Sequence, residues 1–173
     1  QVTLYKAMFL LAFYACLRVG EITHKSNGAH NLQLSDITFL QSDKDTTSGL
    51  KISFKSFKHS TPNTIHTIVI KDSSADQLIP SMTSYLKLRG TQPGPLFMWS
   101  DSKPILYSQF QQTLSLALQF IGPSPSQYSS HSFRLGRATH ALLQGYSELQ
   151  VMKIGRWSST AHLRYLRPPS FLS

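Results

Sequence analysis

The sequence contains few acidic residues, and this shortage predicts the kind of partner the protein has. Eight aspartates and glutamates stand against 17 lysines and arginines among 173 residues, so the formal net charge is +9. The imbalance grows towards the C-terminus, where Glu148 is the only acid between residues 104 and 173. Such an excess of positive charge predicts an acidic partner, either nucleic acid or an anionic membrane surface.

Cysteine and long apolar runs are also scarce. Cys16 is the only cysteine and lies within FLLAFYACL, which excludes an internal disulfide and predicts a buried thiol in a reducing compartment. No apolar run is long enough to span a membrane, and no signal peptide pattern is present. A membrane-surface role is disfavoured as well, because no basic amphipathic helix stands apart from the predicted core.

The sequence lacks the residue spacings that bind metals. Its seven histidines show neither HExxH nor a cysteine–histidine ligand spacing, and its eight acids are too scattered for a two-metal nuclease. We therefore predict no metal site.

Hydrophobic periodicity predicts one mainly helical α+β domain, and 40% hydrophobic residues suffice for one core. Residues 2–15 have helical spacing that breaks near residues 17–20, which predicts two helices meeting at Arg18. Alternating apolar and β-branched residues then predict a three-stranded antiparallel sheet. The predicted strands are 32–40, 50–57 and 65–70, and further helices are predicted in 75–89, 107–122, 129–145 and 147–157.

Arg18 has two interpretations. As a lone arginine it is expected to lay its stem over the core and pair with Glu21 three residues later. Alternatively it is a phosphate clamp, because a planar guanidinium keeps its charge and binds two phosphate oxygens at once.

Three further positions have similar alternatives. His131 and Arg134 form HSFR at a predicted helix start, where they could grip one anion together or merely follow a cap at Ser129 or Ser130. Lys55 and Lys58 lie on or near a predicted hairpin turn, where lysines usually protect a sheet edge but could also reach a phosphate.

The segment KIGRWSSTAHLRYLRPP, residues 153–169, combines Trp157 and Tyr165 with four basic side chains and no acid. A phenol has a pKa near 10, so Tyr165 needs nearby cations and a proton acceptor to act as a nucleophile. The sequence supplies these residue types. The basic residues predicted to contact a polyanion are Lys55, Arg137, Lys153, Arg156, Arg164 and Arg167.

Taken in order, the motifs LRVGE, a hairpin lysine, HSFR, GRW and a tyrosine resemble the signature of the tyrosine recombinase catalytic domain. That signature is Arg, Lys, His-x-x-Arg, His or Trp, and Tyr, and the resemblance spans residues 10–169. Three segments are most similar to recombinases of eukaryotic mobile elements of the Crypton and DIRS kind: LLAFYACLRVGEIT, HSFRLGRATHA and IGRWSSTAHLRYLRPP.

The resemblance implies a role for each position. Tyr165 would attack a DNA phosphodiester and become joined to the 3′ phosphate, with Lys58, preferred over Lys55, protonating the leaving 5′ oxygen. Arg18 and Arg134 would hold the nonbridging oxygens. His131 would assist proton movement at the tyrosine, and Trp157 would donate its indole N–H to the phosphate. No cofactor is implied, neither ATP nor a metal.

The resemblance also implies partners and boundaries. Double-stranded DNA is the expected partner and the nucleus the expected location, with self-association as a tetramer on DNA and a monomer left open for the isolated domain. Residues 1–173 are expected to be a single excised catalytic domain that lacks the family's N-terminal DNA-clamping domain and its C-terminal assembly helix. Two alternatives stay open: a DNA-binding or assembly module that no longer cleaves, and a type IB topoisomerase.

Overall fold

A computed structural model describes residues 1–24, 32–42, 46–54, 65–71, 75 and 77–157. In this part of the chain, six α-helices accompany one antiparallel sheet of three strands in the order β1-β2-β3. The predicted α+β architecture is confirmed. The helices are α1 (Val2–Tyr14), α2 (Val19–Ile22), α3 (Leu78–Arg89), α4 (Tyr107–Ile121), α5 (Ser132–Leu143) and α6 (Glu148–Gly155), and the strands are β1 (Ile37–Gln41), β2 (Thr47–Phe54) and β3 (His66–Lys71).

The first strand is shorter than its apolar pattern predicts. Residues Leu34–Asp36 form a 3-10 turn, in which the Asp36 carboxylate accepts a hydrogen bond from the Gln33 backbone N–H at 2.9 Å. Leu32 is buried because its backbone is anchored between the Glu21 carbonyl and the Leu96 N–H. The alternation of Leu32 and Leu34 therefore reflects a packed loop, which a pattern of period two does not distinguish from a strand.

The second strand begins earlier than expected. Residues Thr47 and Gly49 pair with Gln41 and Leu40, although the sequence around them favours a turn. Next to this pairing, the Ser42 N–H donates to the Thr46 carbonyl at 2.8 Å. Residues 55–57, predicted as the end of this strand, lie outside the described residues.

One apolar core joins the sheet to the helices. Its centre is α1, whose Met8 and Leu11 are fully buried, and alternate β2 residues Leu50, Ile52 and Phe54 supply the buried face of the sheet. We call this cluster the main core. It also includes α2, α3 and Phe110 of α4, and Phe133 of α5 packs against its edge.

A second, smaller cluster lies between α5 and α6. Ala138, Ala141 and Val151 are fully buried there, with Leu142, Ile154 and Trp157 packed against them. We call these six residues the α6 cluster. Cys16 is buried as predicted, and no described helix has the length and apolarity needed to cross a membrane.

Candidate active site

Arg18 lies at the corner between α1 and α2, beside a buried carboxylate. Its backbone N–H donates to Glu21 Oε2 at 2.8 Å, which caps the start of α2. Its Nη1 lies 3.6 Å from Glu21 Oε1, and the Arg18 side chain is 35% exposed. This Nη1 is buried but forms no hydrogen bond within the described part of the chain. The pairing expected for a lone arginine is thus present, and it leaves one donor of Arg18 unused.

The buried side chain of Arg134 on α5 connects the turn after α1 to the end of α6. Its Nη1 donates to the Cys16 carbonyl at 2.7 Å and its Nη2 donates to the Gly155 carbonyl at 2.6 Å. Its guanidinium carbon also lies 5.0 Å from the centre of the Trp157 ring. Charged donors form strong hydrogen bonds, so Arg134 fixes the end of α1 relative to the end of α6.

Arg156 follows α6 and points inward. Its Nη1 and Nη2 donate to Glu21 Oε1 and Oε2 at 3.1 and 2.8 Å, a bidentate pair whose arginine side chain is only 6% exposed. Its guanidinium also stacks over the Phe54 ring at 4.5 Å. The sequence predicts a DNA contact here, but the structure places this guanidinium inside the protein, where a backbone phosphate does not reach it.

Arg18, Arg134 and Arg156 with Glu21 form one assembly, which we call the arginine cluster. The Cys16 carbonyl links it, since both Arg134 and Arg156 donate to this oxygen. Burial lowers the pKa of the Arg134 guanidinium, and the positive charges of Arg18 and Arg156 lower it further. Arginine nevertheless stays protonated, so the cluster concentrates positive charge in a dry environment.

Two helix ends that build the cluster have the same unusual backbone. After α1 and after α6, the next turn closes with paired backbone hydrogen bonds around Cys16 and Arg156, which have φ of 50° and 54°. Glycine usually occupies this left-handed position, as Gly145 does after α5 with φ of 81°. Cys16 and Arg156 accept the strain of this conformation at the candidate site itself, where such strain is often found.

Trp157 packs on the last residue of α6. A Cβ at Gly155 would coincide with the Trp157 ring, so only glycine leaves space for the indole here. The ring is therefore held between Gly155, the α6 cluster and the Arg134 guanidinium.

The remaining described candidates lie at different depths. His131 is exposed at the start of α5, one turn before Arg134. Its backbone N–H donates to Ser129 Oγ at 3.2 Å. Lys153 is exposed on α6. Arg137 is 8% exposed, with its Nη1 at 3.2 Å from His140 Nδ1 and its guanidinium over the Tyr14 ring at 5.7 Å. Lys153 has the exposure that the predicted phosphate contact needs, whereas Arg137 is inside.

Several predicted positions lie outside the described residues. These are Lys55, Lys58, Arg164, Tyr165 and Arg167. The strand that precedes Lys55 ends at Phe54, in contact with Arg156, and Trp157 precedes the segment that contains Tyr165. Among the described residues, no three histidine, cysteine, aspartate or glutamate side chains are grouped so that they could hold a metal ion.

Sequence reasoning missed two groups that organise this site. Glu21 was considered only as a neutraliser of Arg18, although it binds Arg156 more closely. The role of the Cys16 carbonyl could not be read from the sequence, because every residue has a backbone carbonyl and the residue type does not show which one accepts a hydrogen bond. The one available hint for Glu21 was its position as an acid within the apolar stretch that follows Arg18.

No family model matches the sequence, and no curated protein matches it either. Solved structures do match its fold. XerA recombinase aligns with a TM-score of 0.72 and 21% identity over 98% of this chain and 56% of that one. XerH site-specific recombinase, in a pre-cleavage complex with its difH substrate, aligns with a TM-score of 0.65 and 13% identity over 94% of this chain and 42% of that one.

The integrase of transposon Tn1549, in complex with circular intermediate DNA, aligns with a TM-score of 0.55 and 14% identity over 99% of this chain and 56% of that one. The chain therefore spans roughly half the length of these proteins or less. Likeness at such low identity establishes the fold alone. The fold matches that of tyrosine recombinase catalytic domains, which is the fold that the sequence motifs predict.

Proposed function

We propose that this chain is the catalytic domain of a site-specific DNA recombinase or transposase. The observation that carries the proposal is the convergence of Arg18 and Arg134, which lie far apart in sequence, around one carboxylate and one carbonyl. Trp157 stacks on Arg134 in the same place. A fold alone does not fix a function, and the nearness of these arginine side chains is what supports the proposal.

The proposed reaction is a transesterification through Tyr165. The phenolic oxygen forms a bond to phosphorus, the bond from phosphorus to the 5′ oxygen breaks, and the 3′ phosphate stays on the tyrosine. The phenol proton passes towards His131, while Lys58 gives a proton to the leaving 5′ oxygen. Because the phosphodiester energy is retained in the phosphotyrosine bond, the reaction runs without ATP.

The arginines would stabilise the transition state electrostatically. Attack increases the negative charge on the nonbridging oxygens, and fixed cations in a dry site stabilise that charge without reorganising. Arg18 has the solvent access that such a contact needs, since 35% of its side chain is exposed. Arg134 is buried and donates to two carbonyl oxygens, so in this conformation it supplies fixed positive charge beside the proposed phosphate site, and a direct contact would require its side chain to move when DNA binds.

Double-stranded DNA is the proposed partner, in agreement with the net charge of +9. The solved XerH and Tn1549 integrase structures are themselves DNA complexes, which supports this choice. We further propose that the chain comes from a Crypton- or DIRS-like element, acts in the nucleus and assembles as a tetramer on DNA.

A nicked suicide substrate tests the proposal. The substrate carries the terminal sequences of the encoding element, and the mixture is denatured in detergent before adduct is measured on a gel. We expect a covalent adduct with the wild type and none with Tyr165→Phe. Tight binding without adduct would support the non-cleaving module instead, and relaxation of supercoiled plasmid without strand exchange would support a topoisomerase.

The choice of catalytic lysine has its own test. Lys58→Ala should slow cleavage, and a substrate with sulfur in place of the bridging 5′ oxygen should restore it, because a thiolate leaves without a proton. Lys55→Ala is the matched control and should show neither effect. Rescue of Lys55→Ala alone would reassign the general acid to Lys55.

A further inference from the structure

The Arg156 side chain connects three parts of the chain that carry candidate catalytic residues. It belongs to the turn before Trp157, binds Glu21 beside Arg18, and stacks on Phe54 at the end of the strand that precedes Lys55 and Lys58. Its burial rules out a direct role at a surface phosphate.

The Arg156–Glu21 pair also determines what Arg18 can do. Glu21 accepts hydrogen bonds from both terminal nitrogens of Arg156 and from the Arg18 backbone N–H. The Arg18 Nη1 is left at 3.6 Å from Glu21 Oε1, without a hydrogen bond among the described residues. A carboxylate that lacked Arg156 would turn to the remaining cation, because a buried unpaired charge is strongly unfavourable.

We propose that Arg156 is a positioning residue that occupies Glu21 and thereby keeps the Arg18 guanidinium available to a DNA phosphate. This inference rests on the proposed function for its consequence in catalysis, but the competition for Glu21 is a property of the folded chain alone. The cluster holds three cationic side chains and one anionic one, which leaves two positive charges for a phosphorane that carries two negative charges.

The first test measures phosphate binding without any DNA cleavage. Nitrogen-15 spectra of the arginine side chains are recorded during titration with inorganic phosphate. In the wild type, Arg156 should show slow guanidinium rotation from its bidentate pair, and Arg18 should shift as phosphate is added. In Arg156→Gln the Arg18 response should weaken at least tenfold in apparent affinity. An unchanged Arg18 response in Arg156→Gln overturns the proposal.

The second test is a double-mutant cycle on cleavage in a single turnover. Arg156→Gln should cleave the suicide substrate about 100-fold more slowly, comparable to removing one transition-state donor. Adding Glu21→Gln removes the competitor for Arg18, so the double variant should cleave at least tenfold faster than Arg156→Gln alone. A purely structural role for Arg156 predicts that cleavage falls and recovers only in parallel with the melting temperature, because Glu21→Gln also removes the unpaired buried charge. Slow cleavage by an Arg156→Gln variant that is still fully folded supports the positioning role.

Controls separate this inference from the proposed function and from misfolding. Thermal melting of each variant is measured, and Arg156→Lys tests whether a single ammonium suffices to hold Glu21. Wild-type protein that shows the Arg18 phosphate response but forms no adduct would contradict the proposed function and leave the inference intact. Adduct formation by the wild type with no recovery in the double variant would contradict the inference and leave the function intact.

Discussion

The main core and the α6 cluster are stabilised by different means. The main core buries large apolar side chains from helices and sheet, such as Leu11, Ile52 and Phe110. The α6 cluster buries two alanines and one valine, and α6 is fastened to the rest by hydrogen bonds from Arg134 and Arg156 to carbonyl and carboxylate oxygens. Apolar burial is non-directional, whereas these hydrogen bonds depend on geometry. The candidate site therefore lies in the part of the molecule that is held together by hydrogen bonds of defined geometry.

The largest expected effect comes from the main core. Leu11→Ala removes a fully buried side chain at the centre of α1, and we expect a loss of about 3 kcal/mol in the free energy of unfolding. Urea denaturation measures it. Leu88→Ala is the control, since Leu88 is 75% exposed and its loss should be small. Equal effects of the two substitutions would contradict the description of the core.

Arg134→Lys should loosen α6 while the main core stays folded. One ammonium cannot span the Cys16 and Gly155 carbonyls, so we expect a local loss of about 2 kcal/mol. Hydrogen exchange should show faster exchange of α6 amides than of α1 amides.

The matched control is Arg89→Lys, because Arg89 also donates to carbonyl oxygens, those of Gln92, Pro95 and Leu96. That substitution should loosen residues 90–96 and leave α6 unchanged. Loss of protection throughout the chain in Arg134→Lys would show that the two regions unfold as one unit.

Gly155→Ala should displace the Trp157 ring, because the new methyl group would occupy its position. We expect a cost of about 1–2 kcal/mol, typical of overpacking, and a red-shifted Trp157 emission in a Trp99→Phe background. Gly136→Ala is the comparison, since its Cβ would lie 3.3 Å from the Phe13 ring and needs only a small adjustment. Unchanged Trp157 emission in Gly155→Ala would contradict the stacking.

The smallest expected effect concerns pH. Burial raises the pKa of the Cys16 thiol, so the folded chain keeps the proton that the unfolded chain releases above about pH 8.5. Stability is thus complete below that pH and declines as pH rises towards the folded pKa, with a slope of at most about 1.4 kcal/mol per pH unit. Denaturation at several pH values measures this slope. Cys16→Ala should remove this part of the decline and leave the part due to Tyr85, whose pKa is also raised by burial.

Much of the fold was predictable because periodicity records burial. The helices after Ala75 are found within two or three residues of their predicted bounds, and α5 ends near the glycine that predicts its end. The start of α5 differs, since His131 occupies the cap position and Ser129 supports it from outside. The predicted first strand began too early, because the loop around the buried Leu32 has alternating apolar residues like those of a strand.

The site was predictable as a set of residue types and much less as a set of contacts. HSFR and LRVGE predicted that Arg18 and Arg134 bind one phosphate, which stays a prediction. In the structure, the charge of Arg18 is near enough to lower the pKa of Arg134. Arg156 and Arg137 were expected on a DNA-facing surface, and both guanidinium groups are inside. The sequence shows that a residue is basic, but it does not show which acidic or carbonyl group of the same chain will bind that residue.

By itself the sequence determined the excess of positive charge, on which the proposal of an acidic partner rests, and the order of elements, through the spacing of apolar residues. Only the tertiary structure decided which arginine pairs with Glu21 and which keeps a donor unused. The physical reason is that net charge and periodicity are sums over the chain, while a bidentate hydrogen bond requires two groups far apart in sequence to meet within about 3 Å.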